Sequence, residues 1–448
     1  MNSAFDSRST VSWKLRYLVS YALIALALCL VTIPVNSGIP MLRALAHGSL
    51  FIGAGLLVIG NIQKYELKAV YIVSFFGLAS LAFHIISAQS DWRTSLMAIR
   101  ELLLVPLVAY LAGLSMSKSR GYNLAFIFMP VGLLNLYTAY KSFTGFARTY
   151  VPEVAGWVGG GERMTFHYLD STSVIFVTGL VLQASPFLIF GLWVIAGAWL
   201  SGYANTAWAR CLKWIGVTIG IACVVGYFAL CVFMGTRGGL VAYAVAIALT
   251  WGIALRKSIS LIFVGCAFAV AILATIVFTS DKISNQLGLS NYIERFSYRE
   301  MGDRTISGRS EIWAEHAVDL MNTFWGSGYL TDFDVKGYSS HNAYLSLASE
   351  VGVPFGLLTL VVATSFGLSA VRSTFETIEP IEIACAAAIW GILLYCLIES
   401  VVATGYVMVP ILCMIAGTLK GRSGQRRRAR DVSNREASKT GMFRLIRK

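Results

Sequence analysis

Apolar runs of 18 or more residues recur along most of the chain, and they limit it to folds that a lipid bilayer can hold. Of the 448 residues, 56% are hydrophobic and 13% are charged, against about 45–50% and 25% in soluble domains. The runs are continuously apolar rather than alternating, which excludes a β-barrel. The sequence therefore predicts an all-α polytopic membrane protein. It excludes a secreted disulfide scaffold, a soluble enzyme domain and a disordered chain.

The apolar runs predict about twelve transmembrane helices. We place them at 16–35, 44–60, 67–88, 98–115, 122–141, 171–203, 213–233, 238–255, 258–279, 343–366, 382–400 and 401–419. The 171–203 segment would be about 48 Å long as one helix, beyond the ~30 Å hydrocarbon core, so Pro186 is expected to break it. The first run is expected to span the membrane rather than act as a cleavable signal, because no small-residue cleavage pattern follows it.

Lysine and arginine residues in the short loops predict the orientation. With the N-terminus inside, the inner side receives Lys64, Lys118, Arg120, Arg210, Lys213, Arg256, Lys257, Arg372 and the basic tail. The outer side receives two long loops. The predicted organisation is N-terminal helices with the first loop (1–279, loop 142–170), a large outer loop (280–342), C-terminal helices (343–419) and a cytoplasmic tail (420–448).

The net charge of +13 is concentrated in that tail. Basic residues directly after a last span are typical of a cytoplasmic anchor on anionic membrane lipids. Nucleic-acid binding is the weaker interpretation, because no aromatic residues are interleaved with the arginine cluster. The eight cysteines lie in apolar spans or at their cytoplasmic ends without a CxxC pair, so we interpret them as small hydrophobic residues rather than disulfides or zinc ligands.

The large outer loop contains one predicted helix, at 307–325. Ser307 is a suitable N-cap, and Ile312, Ala317, Leu320 and Phe324 follow at amphipathic spacing. A helix lying on the outer membrane surface fits this pattern.

Arg237 stands in GTRGGL, where one predicted span ends outside and the next begins. An ionisable residue beside apolar helices is a functional candidate, and the flanking glycines allow close backbone approach. The alternative is an interfacial arginine that extends its head group to water. Glu399 in LIES is a second candidate, because a carboxylate in an apolar stretch needs a cationic or histidine partner.

His341 is the first residue of the motif HNAYLSLASEVGVPFG, at the start of a predicted outer-face helix. A cap at Ser339 or Ser340 would place His341 in the first turn, where the positive helix end favours a neutral imidazole that can accept a proton. A structural histidine is the alternative. Ala348, Gly352 and Gly356 follow at spacing four and predict a small-residue stripe for close helix packing.

Several arginines share the outer loops: Arg163, Arg295, Arg299, Arg304 and Arg309. The planar guanidinium binds phosphate with two parallel hydrogen bonds, although ion pairing with local acidic residues is the alternative for any one of them. Asp332-Phe-Asp334 could bind a divalent metal, but two aspartates in an acidic loop arise easily by chance, and we expect no metal. The chain has no P-loop or dinucleotide motif in a strand–helix context.

Three of these motifs together resemble the lipopolysaccharide O-antigen ligase family, within the O-antigen ligase/polymerase superfamily. They are GTRGGL around Arg237, SGRSEIW around Arg309 and HNAYLSLASEVGVPFG from His341, in the order that the family has them. The last two flank the expected large periplasmic loop. The resemblance covers the twelve-span layout and roughly residues 140–405.

The resemblance implies an inverting glycosyltransferase of the bacterial inner membrane, GT-C-like in fold, that needs neither metal nor nucleotide. It implies transfer of an O-antigen glycan from undecaprenyl diphosphate to lipid A–core oligosaccharide at the periplasmic face. Residue by residue, Arg237, with Arg309, Arg163 and Arg304, would bind the diphosphate. His341 would be the base, and Glu399 would orient it or engage the acceptor.

Three other functions remain open at this point. An O-antigen or exopolysaccharide polymerase of the same superfamily would use the same donor chemistry, and a protein O-oligosaccharyltransferase is a further variant. A twelve-span transporter would predict charged residues near the bilayer midplane and two related halves, whereas these candidates gather at the outer face.

Overall fold

The computed structural model describes part of the chain. The described residues are 4–32, 40–59, 67–87, 92–117, 127–134, 165–166, 175–176, 185–200, 207–233, 237–254, 256, 309–329, 342–376, 379–397 and 408–446. Within these ranges the fold is α-helical apart from one short pair of strands.

The helices are numbered here in chain order. They are α1 (Ala4–Thr32), α2 (Pro40–Val58), α3 (Leu67–Ser87), α4 (Trp92–Ile99), α5 (Val105–Met116), α6 (Ser185–Leu200), α7 (Ala207–Phe233), α8 (Arg237–Ala254), α9 (Arg309–Asn322), α10 (Ala343–Val351), α11 (Val353–Glu376), α12 (Pro380–Cys396) and α13 (Met408–Ile446). A π-helical turn, Arg100–Leu104, joins α4 to α5. Residues 127–134 are also helical.

Several of these helices have the length and apolar composition of membrane spans. Within the described ranges, four segments are long enough to cross a bilayer: Val70–Ser87, Trp92–Met116, Arg210–Phe228 and Val353–Glu376. Shorter apolar helices accompany them in α1, α2, α6, α8 and α12. The predicted helical membrane fold is confirmed at this level, and the count of twelve spans stays a prediction. The proposed span at 258–279 lies outside the described residues.

The spans predicted at 171–203 and 343–366 are not single helices in the structure. Within 171–203, strand β2 (Ile175–Phe176) pairs antiparallel with β1 (Thr165–Phe166), and α6 begins only at Ser185. Pro186 therefore does not break a long helix. It occupies the first turn of α6, where its missing N–H group has no intrahelical partner to lose. The predicted 343–366 span divides at Gly352 into α10 and α11.

Helix α12 lies at the centre of the bundle. Fourteen of its 17 residues are buried, with alanines at 384 and 386–388 facing neighbours on several sides. A helix with apolar residues on most sides can be buried on all sides, and α12 packs against α6, α8, α11 and α13.

Ion pairs between α13 and the start of α12 define one end of the bundle, named here the basic end. Arg422 Nη1 lies 2.9 Å from Glu379 Oε2, and Arg426 Nη2 lies 2.6 Å from Glu382 Oε2. The Glu382 carboxylate also accepts a hydrogen bond from the Ser373 hydroxyl near the end of α11. Helix α12 therefore starts at the basic end.

Helix α8 ends at the basic end as well. Arg256, two residues beyond α8, donates a 3.2 Å hydrogen bond to the carbonyl oxygen of Phe375. Its guanidinium also lies 4.8 Å from the centroid of the Phe375 ring, in the last turn of α11. Since α8 ends where α12 begins, the two helices run antiparallel.

The contact between α8 and α12 depends on Gly391. A Cβ atom at this position would overlap the ring of Tyr243, which is fully buried and therefore cannot move aside. We expect Gly391→Ala to lower the free energy of unfolding by about 1–3 kcal/mol through overpacking. The matched control is Gly252→Ala on α8, where a Cβ would meet nothing within 4 Å.

Thermal unfolding in detergent measures both variants. Gly252→Ala should stay within about 1 kcal/mol of the parent protein, because only helix propensity changes. Equal midpoints for the two variants would contradict the close packing of α8 on α12.

Candidate active site

Asn342 caps the helix that follows His341 in the chain. Its Oδ1 accepts hydrogen bonds from the backbone N–H groups of Tyr344 and Leu345, both at 3.1 Å. The predicted cap at Ser339 or Ser340 is therefore wrong, because an asparagine carbonyl caps as well as a serine hydroxyl and stands nearer the helix. In chain order His341 precedes the cap, so it is not a first-turn residue of α10.

The same side chain joins α10 to the end of α12. Asn342 Nδ2 donates a 3.2 Å hydrogen bond to the carbonyl oxygen of Leu397, the C-cap residue of α12. The two chain segments thus approach one residue after His341 and two residues before Glu399. The bond also satisfies a carbonyl that the helix end leaves without an intrahelical donor.

The first residue of α8 lies at this same end of the bundle. Tyr243, which contacts Gly391, is six residues from Arg237, and Gly391 is six residues from Leu397. In antiparallel helices these equal offsets, each about 9 Å, bring the two ends to one level. The Asn342 end, as we name it, therefore contains the start of α8, the end of α12 and the cap of α10.

Backbone hydrogen bonds lock the end of α9 to the end of α10. Ser327 N–H donates to Ser349 O, Gly328 N–H to Glu350 O, and Val353 N–H to Phe324 O, all at 2.9 Å. Gly326 and Gly352 adopt positive φ values of 92° and 112°, which glycine reaches without strain. This junction, Phe324–Gly328 with Ser349–Val353, fixes the loop helix that begins at Arg309 to the helix that Asn342 caps.

The junction corrects the predicted small-residue stripe. Ala348, Gly352 and Gly356 do not share one helix, because α10 ends before Gly352 and α11 begins after it. A Cβ on Gly352 would overlap the Trp325 backbone, and one on Gly356 would overlap Ala348. The glycines therefore let α10 fold back against α11 and the junction rather than receive a separate helix.

The structure has a helix, α9, within the predicted 307–325 segment, and apolar side chains lie on its exposed face. His316 is fully buried, whereas Val318, Met321 and Phe324 are 56%, 85% and 51% exposed. Ala317 lies on the exposed side as well. Trp325 faces inward, stacked 5.0 Å from Phe83 with its carbonyl oxygen 2.9 Å from His84 Nδ1. An outward apolar stripe suits a helix lying on a membrane surface.

The structure describes the predicted site residues only in part. Arg237 and Arg309 are the first residues of α8 and α9. His341, Glu399, Arg163 and Arg304 lie outside the described residues, as do Arg295, Arg299, Asp332 and Asp334. Among the residues that are described, no group of three or more His, Cys, Asp or Glu side chains is placed to hold a metal ion.

Sequence reasoning missed two polar features near this end. One is Asn342, which could have been predicted as the N-cap because asparagine is a preferred capping residue and directly follows His341. The other is Glu101, buried in an apolar helix and paired with Arg100 at 2.5 Å. The Tyr329 hydroxyl, just beyond the junction, donates to the other Glu101 oxygen at 3.4 Å. A carboxylate inside the predicted 98–115 span was the signal for this second feature.

These features define a helical membrane protein with polar chain segments gathered at the end of the bundle opposite its basic cluster. Comparison with known families gives the class more closely: residues 222–361 match the family model described as O-antigen ligase. The resemblance predicted from the three motifs is confirmed over this part of the chain, which includes Arg237, Arg304, Arg309 and His341. No curated protein matches the chain.

Proposed function

We propose that the protein is an inverting membrane glycosyltransferase. It transfers an O-antigen glycan from undecaprenyl diphosphate to lipid A–core oligosaccharide at the periplasmic face of the inner membrane. The observation that carries the proposal is the Asn342–Leu397 hydrogen bond, taken with the antiparallel packing of α8 on α12. Together they bring the first residue of α8, Arg237, and the cap residue that follows His341 to the end of α12, and this proximity supports the proposal.

Arginines suit the departure of the lipid diphosphate. As the bond between the anomeric carbon and the diphosphate oxygen breaks, negative charge builds on that oxygen, and fixed cations stabilise it best. Arg237 is assigned this role, with Arg309, Arg163 and Arg304 holding the phosphates. A position at the start of α8 adds the positive end of the helix dipole.

The acceptor needs a base rather than an acid. A sugar hydroxyl attacks the anomeric carbon from the face opposite the diphosphate, forming the new C–O bond and inverting the centre, while His341 takes its proton. Glu399 orients the imidazole or engages the acceptor. The diphosphate is already a good leaving group, so the proposed reaction requires no metal or nucleotide.

The charge distribution supports the orientation. Arg256, Arg372, Arg422, Arg426 and Arg427 gather at the basic end, and basic residues flanking spans favour the cytoplasm. The Asn342 end then faces the periplasm. The exposed apolar stripe of α9 would lie in the outer surface of the bilayer there.

Reconstitution tests the function directly. The full-length protein in liposomes, given undecaprenyl-diphosphate-linked O-antigen and lipid A–core without ATP and with EDTA, should yield glycosylated core. Longer lipid-linked glycan with unmodified core would instead identify a polymerase. If the protein is a ligase, a strain in which its gene is deleted should keep full-length O-antigen on the lipid carrier and show bare core at the surface.

Asn342 offers a test of positioning in the same assay. Asn342→Ser and Asn342→Asp keep an N-cap acceptor but lose the donor to Leu397 O, so kcat should fall up to about tenfold while thermal unfolding changes little. Asn342→Ala loses the cap too and should also cost about 1 kcal/mol of stability. Unchanged kcat in the serine and aspartate variants would show that the Leu397 bond has no part in catalysis.

A further inference from the structure

A groove separate from the candidate active site lies between α2 and the segment joining α4 to α5. It encloses about 550 Å³ and is lined mainly by apolar side chains with two arginines. The residues that matter here are Phe51, Trp92, Arg93, Leu96, Arg100 and Leu104. Arg100 opens the π-helical turn, a rare irregularity that is frequent at functional sites.

One of the two arginines is already partly neutralised. Arg100 pairs with Glu101 at 2.5 Å, and their side chains are 36% and 3% exposed. Arg100 Nε is buried without a hydrogen-bond partner among the described residues. Arg93 lies over the Trp92 ring, 5.4 Å from its centroid. Among the described residues at this site, two guanidiniums and one carboxylate give a charge of +1.

The length of the helical segment indicates that one end of the groove lies at the level of the lipid head groups. Trp92–Met116 has 25 residues, about 38 Å of helix against a hydrocarbon core of ~30 Å. Its far end lies near the basic end, because the Ser117 hydroxyl accepts a hydrogen bond from Gln425. Trp92 and Arg93 therefore reach head-group depth at the Asn342 end, while Leu96 and Leu104, 57% and 43% exposed, continue along the apolar layer.

We propose that this groove binds one anionic phospholipid, with its phosphate on Arg93 and Arg100 and an acyl chain along Phe51, Leu96 and Leu104. A phosphodiester lipid such as phosphatidylglycerol carries one negative charge, which balances the +1 of the groove. A polyprenyl diphosphate carries more, and the groove has no further described cation to match it. Helix α4 and the π-helical turn pack on α3, and α5 packs on α2 and α13, whereas α8 packs on α12, so the groove is on another side of the bundle from Arg237.

Glu101 connects the groove to the junction by contacts with residues on both sides. Its carboxylate binds Arg100 on the groove side and the Tyr329 hydroxyl on the loop side. A bound phosphate on Arg100 would hold this pair in place, so the lipid serves as a structural ligand. This inference does not depend on the proposed transfer reaction.

Fluorescence quenching locates the lipid. Brominated phosphatidylglycerol is titrated into the full-length protein in mixed micelles, and the signal of a Trp92→Phe variant is subtracted to isolate Trp92. We expect brominated phosphatidylcholine to quench Trp92 less at equal mole fraction. Arg93→Gln should raise the half-quenching mole fraction of the anionic lipid about tenfold, as loss of one charge-assisted hydrogen bond predicts.

Two further variants complete the test. Arg100→Lys keeps a cation beside Glu101 and should weaken binding less than Arg93→Gln, and Arg210→Gln, an exposed arginine on α7, should change nothing. Equal quenching by both lipids, or equal binding by the parent protein and Arg93→Gln, would overturn the proposal. Displacement of phosphatidylglycerol by equimolar undecaprenyl diphosphate would also overturn it, in favour of the donor lipid.

Discussion

Arg237→Ala is expected to lower the rate of glycan transfer by about 10²–10³-fold in the reconstituted system. That is the cost of removing one preorganised group that stabilises charge in a transition state. The substitution should not disturb the fold, because alanine is a good helix former and α8 is held through Tyr243 and Arg256 rather than through its first residue. The measurement is the initial rate at saturating donor and acceptor.

Two companion variants separate charge from geometry. Arg237→Lys keeps the charge but loses the planar pair of donors, and its rate should lie between those of the parent protein and the alanine variant. Arg210→Ala removes an exposed arginine from the start of α7 and should leave the rate unchanged. Full activity of Arg237→Ala in membranes where it is correctly inserted would remove the proposed mechanism.

His341→Ala is expected to lower the transfer rate by about 10²–10⁴-fold, the range for a general base. Binding of the lipid-linked donor should be nearly unchanged, because the imidazole acts on the acceptor hydroxyl. Added imidazole should restore part of the rate, which a merely structural histidine would not allow. A variant that transfers glycan as fast as the parent protein would refute the base assignment.

Rate against pH gives an independent measure. The base must be uncharged, so protonation of the imidazole should make the parent rate fall as the pH becomes acidic. His341→Ala should lose this limb of the profile. If the limb persists in the variant, another group accepts the proton.

Much of the helical layout could be predicted because hydropathy reports burial in lipid directly. Spans such as α3 and α8 appeared within one residue of their predicted ends. The boundaries that failed did so for local reasons. Pro186 was compatible with a helix start as well as a break, and Gly352 ended a helix through a positive φ that spacing alone does not reveal.

The family could be predicted from the motifs, but the contacts of the residues around them could not. The family resemblance around Arg237, Arg309 and His341 was readable in the sequence and is supported by the match over 222–361. The Asn342–Leu397 bond spans 55 residues and depends on how α10 meets α12, which no local pattern encodes. The burial of His316 in α9 likewise depends on tertiary contacts, which the spacing of apolar residues along a helix does not reveal.

The segment between Tyr329 and Asn342 should tolerate changes in length, because hydrogen bonds hold the chain on both sides of it. Both of its ends belong to the same rigid unit, since Phe324–Gly328 are bonded to Ser349–Val353 and Asn342 caps the helix between them. Doubling such a closed loop costs only about 0.6 kcal/mol of chain entropy. Insertions near Lys336 should therefore leave the positions of α9, α10 and α11 unchanged.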